Sequence, residues 1–222
     1  MNSSVAASKN RMQVVKLLLV DDHAIVREGL KRILDDEPGM MVTGEAGSSF
    51  DAIQLIRSSH FDVILLDISL PGKSGLDILK LIKMEKPHVR VLILSMFPED
   101  QYAVRVLRAG AAGYLTKESA PRELVNAIRK VADGGTYVSP ALAERLAGDL
   151  ILPSGAPHES LSDREFAVLR LIASGKSPTQ IADELQLSIK TISTYRSRIL
   201  AKMNLQNNAE LTHYALKNNI VL

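Results

Sequence analysis

The stretch Leu-Leu-Leu-Val-Asp-Asp at residues 17–22 joins four apolar residues to two adjacent carboxylates. A continuous apolar run of this kind is typical of a strand that is buried on both faces of a parallel sheet. The pattern returns at residues 63–67, which end in Asp67, and at residues 89–95, which end in Ser95. Each of these stretches is followed by residues with helical spacing, and this alternation decides the fold class.

Alternating strands and helices fill the first ~120 residues, about the size of one domain. The predicted strands cover residues 16–20, 41–45, 63–66, 89–94 and 113–116. The predicted helices cover residues 24–34, 50–56, 76–84, 102–109 and 122–132. Right-handed crossovers between the strands then predict an α/β, doubly wound, five-stranded parallel sheet of order 2-1-3-4-5.

The rest of the chain has helical patterns and no strand pattern. After a short helical piece at 141–150, the Pro-, Gly- and Ser-rich residues 152–157 are typical of a linker. Four helices follow, at 163–174, 178–185, 189–203 and 209–218, with Ser162, Ser177 and Ser188 as predicted N-caps. We therefore predict a first domain at 15–133, a linker with a short helix at 134–159 and an all-α domain at 160–222. Residues 1–13 are predicted to be a loose tail.

Composition excludes several classes of protein. The chain has no cysteine, which excludes disulfides, thiolate metal sites and a cysteine nucleophile. That composition suits the cytosol. No apolar run approaches the ~20 residues of a membrane span, and the first fifteen residues lack the continuous apolar run of a signal peptide. We predict a cytoplasmic protein with no membrane partner.

Polar residues follow the ends of four predicted strands: Asp21, Asp22, Asp67, Ser95 and Lys117. The carboxyl ends of parallel strands share one edge of the sheet, where ligands bind in doubly wound folds. Three close carboxylates require a cation or raised pKa values, and oxygen ligands favour Mg²⁺. The set suits phosphoryl transfer, with Asp67 as the nucleophile because it ends the central strand and a tight turn follows at 71–72.

These motifs resemble the receiver domains of two-component response regulators. The resemblance rests on residues 17–23, 67–75, 94–96 and 113–117, and it covers residues 15–133. It implies that a sensor histidine kinase or a phosphorelay protein phosphorylates Asp67, with only self-phosphorylation and dephosphorylation as enzymatic activity. The further implied roles are Mg²⁺ coordination by Asp22, Asp67 and the backbone carbonyl of Ser69, water-mediated contact by Asp21, pairing of the phosphoryl group by Lys117, and switching by Ser95 and Tyr114, the latter on the outer face.

The helices predicted at 178–185 and 189–203 have the spacing of a helix-turn-helix. The second one carries four cations and no acid between residues 188 and 203, namely Lys190, Arg196, Arg198 and Lys202. A cationic helix on a nearly neutral chain indicates an anionic partner such as double-stranded DNA. A solvated helix face or a plain helical bundle would account for the same pattern.

Residues 160–222 resemble the LuxR-type four-helix domain of NarL/FixJ response regulators. The motifs that carry this resemblance lie at 161–165, 168–175, 180–182 and 188–195. The resemblance implies that Lys190, Ser193, Thr194 and Ser197 face the major groove. It also implies a homodimer when phosphorylated and contact with RNA polymerase. The stripe on the last helix would serve either dimerisation or the intramolecular core.

Two other functions compete with a DNA-binding regulator. An aspartate-nucleophile phosphatase of the haloacid-dehalogenase type needs a second Asp two residues after its nucleophile, and Ser69 occupies that position. A receiver joined to a helical protein-interaction module would share the first domain but would lack the steep salt dependence of DNA binding.

Overall fold

The computed structural model describes residues 14–70, 75–97, 99–151, 156–218 and 220–221. The predicted tail at residues 1–13, the turn at 71–72 and most of the predicted linker at 152–157 lie outside these ranges. None of the helices within them is both long and apolar enough to cross a lipid bilayer.

Five parallel strands form the sheet of the first domain. They are β1 Val15–Val20, β2 Met40–Ala46, β3 Val63–Asp67, β4 Arg90–Ser95 and β5 Gly113–Thr116. Their order is β2-β1-β3-β4-β5. This confirms the predicted α/β class and strand order. The central strand β3 is buried along its whole length, as its continuous apolar sequence predicts.

Five helices cover the two faces of the sheet. They are α1 Ala24–Asp35, α2 Ser49–Ser58, α3 Gly75–Glu85, α4 Glu99–Arg108 and α5 Ala120–Ala132. On one face Leu34 of α1 and Ile128 of α5 belong to one apolar cluster. On the other, Ile56, Ile82 and Val106 from α2, α3 and α4 belong to a second. Because helices cover both faces of the sheet, its polar functional groups can reach solvent only at the ends of the strands.

Two helices begin earlier than the apolar periodicity predicts. Helix α4 begins at Glu99 rather than at residue 102, and α5 begins at Ala120 rather than at residue 122. The first turn of α4 is polar and carries no apolar signal. In α5, Pro121 lies in the first turn, where a missing N–H costs no intrahelical bond.

The described residues that follow α5 form helices. A sixth helix, α6 Pro140–Ile151, and a short 3₁₀ helix, Pro157–Ser160, precede α7 Asp163–Ala173, α8 Pro178–Leu185, α9 Ile189–Met203 and α10 Asn208–Lys217. The hydroxyls of Ser162, Ser177 and Ser188 cap α7, α8 and α9, which confirms the three predicted N-caps. Between α8 and α9, Gln186 turns the chain in a left-handed conformation with φ of 52°.

The last helix contributes to the core of its own domain. Leu211 and Ala215 of α10 are fully buried. The hydroxyl of Tyr214 lies 2.8 Å from Nδ1 of His158 in the 3₁₀ helix. Of the two roles predicted for this stripe, the structure therefore shows the intramolecular one for Leu211 and Ala215.

Candidate functional site

The residues predicted at the strand ends meet at the carboxyl edge of the sheet. The side chains of Asp21 and Asp67 are about 1% exposed in the folded chain. Nζ of Lys117 lies 2.6 Å from Oδ2 of Asp21 and 2.8 Å from Oδ2 of Asp67. One ammonium thus bridges two buried carboxylates, and Asp22 lies at the more exposed rim beside them. We call Asp21, Asp22, Asp67 and Lys117 the acidic pocket.

In the acidic pocket, burial and ion pairing shift the pKa values of Asp67 and Lys117 in opposite directions. Burial raises the pKa of Asp67 above its ordinary value, although Lys117 and the Ser69 amide partly offset this. Burial alone would lower the pKa of Lys117, but its hydrogen bonds to Asp21 and Asp67 raise it. The ammonium of Lys117 is therefore favoured by its two partners, and in turn it favours the ionised form of Asp67 against the solvation cost of burial.

The pocket has a donor set that suits a divalent cation. One ligand atom from each of Asp21, Asp22, His23 and Asp67 lies within 4.8 Å of the others. Oδ1 of Asp22 is buried, and the ring of the exposed His23 approaches it within 2.9 Å through Nδ1. Carboxylate oxygens with unused lone pairs are the ligands that hard cations such as Mg²⁺ prefer. These residues therefore fit the metal that the receiver fold implies.

Sequence reasoning missed His23. Its amide donates to Oδ1 of Asp21 at 2.9 Å, and its Nδ1 lies 2.9 Å from Oδ1 of Asp22. The available signal was its position next to two adjacent aspartates. Ser69 donates its amide to Oδ1 of Asp67 at 3.0 Å, while a metal contact through its carbonyl stays a prediction.

Gly75 lets helix α3 begin directly over Asp67. A Cβ at this position would lie 2.2 Å from the carbonyl oxygen of Asp67 and 2.7 Å from Cα of Ile68. Both neighbours are backbone atoms and cannot rotate away. The site therefore requires glycine here, because any side chain would push α3 off the end of β3.

The two predicted switch residues are buried and share one partner. Oγ of Ser95 accepts a hydrogen bond from the Phe97 amide at 3.0 Å. The hydroxyl of Tyr114 donates to the Phe97 carbonyl at 2.8 Å. Tyr114 is about 1% exposed, so it faces inward here rather than outward as the resemblance implied. Burial raises the pKa of Tyr114 above its ordinary value.

The predicted groove-facing residues of α9 are exposed together. They are Lys190, Ser193, Thr194 and Ser197. The three hydroxyls donate to carbonyls one turn earlier, at 3.0 to 3.1 Å. Lys190 and Arg198 also line one shallow polar depression with Thr194. We call this exposed side of α9 the recognition face.

The other two cations of α9 are committed to neighbouring helices. Nε of Arg196 donates to Oδ1 of Asn208 at 2.6 Å. Nζ of Lys202 lies 2.7 Å from Oε2 of Glu165, a buried carboxylate that also caps α7. Burial would raise the pKa of Glu165, but its bonds to Lys202 and Ser162 lower it. Lys202 thus has a structural partner that its charge alone did not reveal.

Comparisons with known proteins agree with both halves of the chain. Residues 17–129 match the family model of the response regulator receiver domain, and residues 159–215 match that of the bacterial regulatory proteins of the luxR family. The chain is 39% identical to the response regulator UvrY of Escherichia coli (strain K12) over 209 residues, which cover 93% of this chain and 96% of UvrY. It is 38% identical over 210 residues to the response regulator GacA of Pseudomonas aeruginosa, covering 94% and 98%.

Solved structures give the same picture. RcsB from Salmonella enterica serovar Typhimurium, bound to the promoter rprA with the phosphomimetic BeF₃⁻, aligns at a TM-score of 0.62 with 28% identity, covering 90% of this chain and 97% of RcsB. An RcsB–DNA complex aligns at 0.57 with 28% identity, covering 94% and 99%. The chain therefore belongs to the response regulators that join a receiver domain to a LuxR-type DNA-binding domain.

Proposed function

We propose that Asp67 accepts a phosphoryl group and that this modification controls sequence-specific DNA binding and transcription. The observation that carries the proposal is the buried pair of Asp67 and Asp21 on one ammonium, that of Lys117. A carboxylate that is desolvated yet ionised is a competent nucleophile toward phosphorus. The proposed donor is a sensor histidine kinase or a phosphorelay protein, or a small acyl phosphate in its place.

The proposed chemistry uses the residues as they stand. An oxygen of Asp67 forms a bond to phosphorus while the bond from phosphorus to the donor's imidazole nitrogen breaks, and that nitrogen leaves with the electron pair. Lys117 neutralises charge on the transferred phosphoryl oxygens. Asp22, Asp67 and the Ser69 carbonyl would hold Mg²⁺ directly and Asp21 through water. When bound, that ion supplies further charge neutralisation. Hydrolysis of the acyl phosphate by water restores Asp67.

The proposed DNA interface is the recognition face of α9. Lys190, Ser193, Thr194 and Ser197 would enter the major groove, and Arg198 would contact phosphates. The RcsB structures include dimers bound to DNA. By analogy we propose a phosphorylated homodimer on two symmetry-related half-sites, because one helix reads too few base pairs to select a site in a genome.

The proposed role in transcription also carries a proposal for the location of the protein and for its domain limits. We propose that the protein works in the cytoplasm, where it would meet its kinase, DNA and RNA polymerase. We also propose the domain limits 15–133 and 160–222, with residues 134–159 as the connection between them. The phosphatase alternative needs a second Asp two residues after Asp67, and Ser69 occupies that position.

A labelling experiment tests the phosphoacceptor. Acetyl phosphate and Mg²⁺ should label the parent at one residue, and Asp67→Asn should not be labelled because an amide cannot attack phosphorus. Asp36→Asn is the matched control, since Asp36 is exposed beyond the end of α1. Full labelling of Asp67→Asn would refute the assignment.

A binding experiment tests the output. Genomic DNA fragments retained by the phosphorylated parent, but not by Asp67→Asn treated in the same way, should share a two-fold symmetric sequence. Binding without any salt dependence would instead favour the protein-interaction module.

A further inference from the structure

His23 lies between the acidic pocket and the first turn of α1. It occupies the N-cap of α1, a position where short polar side chains usually accept a hydrogen bond from the helix. The His23 side chain makes no such capping bond. Its ring instead turns back to the carboxylates that follow β1, although the side chain stays 63% exposed. The ring is therefore part of the rim of the pocket and is open to solvent.

The contact between His23 and Asp22 has the dimensions of a shared metal ion. Nδ1 of His23 lies 2.9 Å from Oδ1 of Asp22. Two adjacent ligands of an octahedral ion, each about 2.1 Å from it, are about 3.0 Å apart. Oδ1 of Asp21 accepts a hydrogen bond from the His23 amide at 2.9 Å, which fixes the backbone of the histidine at this place. The geometry thus admits one nitrogen ligand beside the carboxylate oxygens.

Lys117 and His23 contact different oxygens of the acidic pocket. The ammonium of Lys117 lies beside Oδ2 of Asp21 and Oδ2 of Asp67. Nδ1 of His23 lies beside Oδ1 of Asp22, and at 3.2 Å from Oδ1 of Asp21. An ion held next to the imidazole therefore does not have to displace the ammonium. Among the described residues, no other histidine lies in a group of three such ligands.

A hydrogen bond from the imidazole to Asp22 would give the same distance without any ion. Such a bond at an exposed side chain contributes little to stability, because water competes for both partners. A bound cation would take the place of the donated hydrogen, and that proton would leave to solvent. The contact therefore offers little resistance to a cation that binds nitrogen well.

The nitrogen atom changes which cations the pocket suits. An oxygen-only site favours Mg²⁺, which keeps several of its waters when bound. Imidazole is instead a preferred ligand of the later first-row transition metals, whose affinities rise from Fe²⁺ through Co²⁺ and Ni²⁺. A nitrogen that replaces one water should add little to the binding of Mg²⁺ and much to that of these ions.

We propose that His23 is a nitrogen ligand of the acidic pocket and gives it affinity for divalent transition metals such as Co²⁺. The imidazole would take a coordination position that water fills around Mg²⁺. An ion of this class would then compete with Mg²⁺ for the site of phosphoryl transfer. The inference rests on the metal site of the proposed function and adds a ligand and a class of ion to it.

The first test measures the affinity for two ions on the full chain. The EPR signal of free Mn²⁺ falls when the ion binds, so displacement of bound Mn²⁺ by Mg²⁺ or by Co²⁺ gives both affinities without a phosphoryl donor. His23→Phe keeps a ring and removes both nitrogens. It should lower the affinity for Co²⁺ by about tenfold or more, since losing even an outer-shell partner of a metal site costs about that much. The affinity for Mg²⁺ should fall far less.

His60→Phe is the matched control. His60 is also an exposed histidine near an aspartate, with Nε2 3.6 Å from Oδ1 of Asp62. Its ring stacks on that of His88, with centroids 6.3 Å apart, and such a pair is an alternative place for Co²⁺. His60→Phe should bind both ions as the parent does.

The second test locates the ion by proton NMR. Paramagnetic Co²⁺ shifts the ring protons of a coordinated imidazole far outside the ordinary range. One histidine ring in the parent should show such shifts, and so should one ring in His60→Phe. The shifted resonances should be missing in His23→Phe, which assigns them to His23 without reference to any activity.

Three outcomes contradict the ligand. One is an equal loss of Mg²⁺ and Co²⁺ affinity in His23→Phe, which would make His23 a support for Asp22 only. Another is a set of His23 resonances that stays in the ordinary range when Co²⁺ is bound. The third is a loss of Co²⁺ binding in His60→Phe alone. If Asp22→Asn binds Mg²⁺ as tightly as the parent, the metal site of the proposed function fails instead.

Discussion

The acidic pocket and the recognition face differ in how far their polar groups are buried and in what those groups bond to. In the pocket, Asp21, Asp67 and Lys117 are buried and satisfy one another at 2.6 and 2.8 Å. On the recognition face, Ser193 and Thr194 are exposed, and each donates to a carbonyl of its own helix. The charges of the pocket are already paired and positioned, as the proposed phosphoryl transfer would require. The recognition face holds groups that can exchange partners on binding DNA.

The same contrast recurs within α9. Arg198 and Lys202 are both exposed, but Lys202 pairs with the buried Glu165. A cation in an internal pair must give up that pair before it can contact a phosphate. We therefore expect the four cations of α9 to divide between binding and stability, although their charges are equal.

The largest effect should come from closing the space beside Asp67. Gly75→Ala puts a Cβ where only 2.2 Å separates it from backbone oxygen, so α3 must move and the pocket with it. We expect labelling by acetyl phosphate to be lost and the midpoint of thermal unfolding to fall. Gly29→Ala is the control, because nothing lies within 4 Å of that Cβ. Because Gly29 lies in the interior of α1, its replacement by Ala should stabilise the fold by up to about 1 kcal/mol. Equal behaviour of the two variants would contradict the close approach.

Removing the shared cation should have the next largest effect. Lys117→Met leaves Asp21 and Asp67 buried without their ion pair. We expect the labelling rate to fall by about 100-fold, a typical loss for one preorganised charge. Because Lys117 lowers the pKa of Asp67 and burial raises it, the variant should have a still higher Asp67 pKa.

The pH dependence follows from the proposal that the ionised form of Asp67 is the nucleophile. In Lys117→Met the acid limb of the labelling rate should move to higher pH. Carbon NMR of the Asp67 carboxyl in metal-free protein measures the same shift without turnover. An unchanged or lower pKa would contradict the pairing seen at 2.8 Å.

A stability effect of intermediate size should separate Lys202 from Arg198. Lys202→Ala leaves the buried Glu165 carboxylate without its cation, and we expect a loss of about 1–3 kcal/mol. The pKa of Glu165 is lowered in the folded protein, so its pairing stabilises the fold above the ordinary pKa of Glu and this contribution is lost as pH falls through the folded value. The stability gap between parent and Lys202→Ala should therefore be full at neutral pH and shrink in acid.

Arg198→Ala is the matched comparison. It should leave stability within about 0.5 kcal/mol of the parent and reduce the slope of log K against log salt by roughly one. Thermal unfolding across pH and salt titration of DNA binding give both readouts. A pH-independent loss in Lys202→Ala would contradict the ion pair.

The sequence predicts a residue's role where a local pattern specifies its position, and it fails where only tertiary packing brings two residues together. The pocket residues were identifiable because each stands at the end of an apolar strand, and parallel strands bring their ends together. His23 was missed because its position beside two adjacent aspartates, though a signal, does not distinguish a histidine of the pocket from a surface histidine. The partners of Lys202 and Arg196 could not be predicted, since Glu165 and Asn208 lie on other helices and only packing brings them close. The contacts of Phe97 with Arg170 join two domains across a connection whose path no local pattern specifies.

The smallest effect, and the most informative about base reading, should come from Thr194→Ala. The Thr194 hydroxyl is exposed and donates to the Lys190 carbonyl at 3.0 Å, a bond that helices do not need. Stability should therefore change by a few tenths of a kcal/mol at most. The salt slope should not change either, because no charge is lost.

What should change is discrimination at one or two base pairs, by about 1–3 kcal/mol each, if the hydroxyl contacts a base edge. Binding of Thr194→Ala to a panel of single-base operator variants measures this, with Ala201→Ser as a control for adding a hydroxyl one turn beyond Ser197 on the exposed side of α9. A uniform loss across the panel would mean that Thr194 contacts the DNA backbone. In that case α9 would lie higher in the groove than its exposed hydroxyls suggest, and the recognition face would read sequence through Lys190 and shape rather than through short side chains.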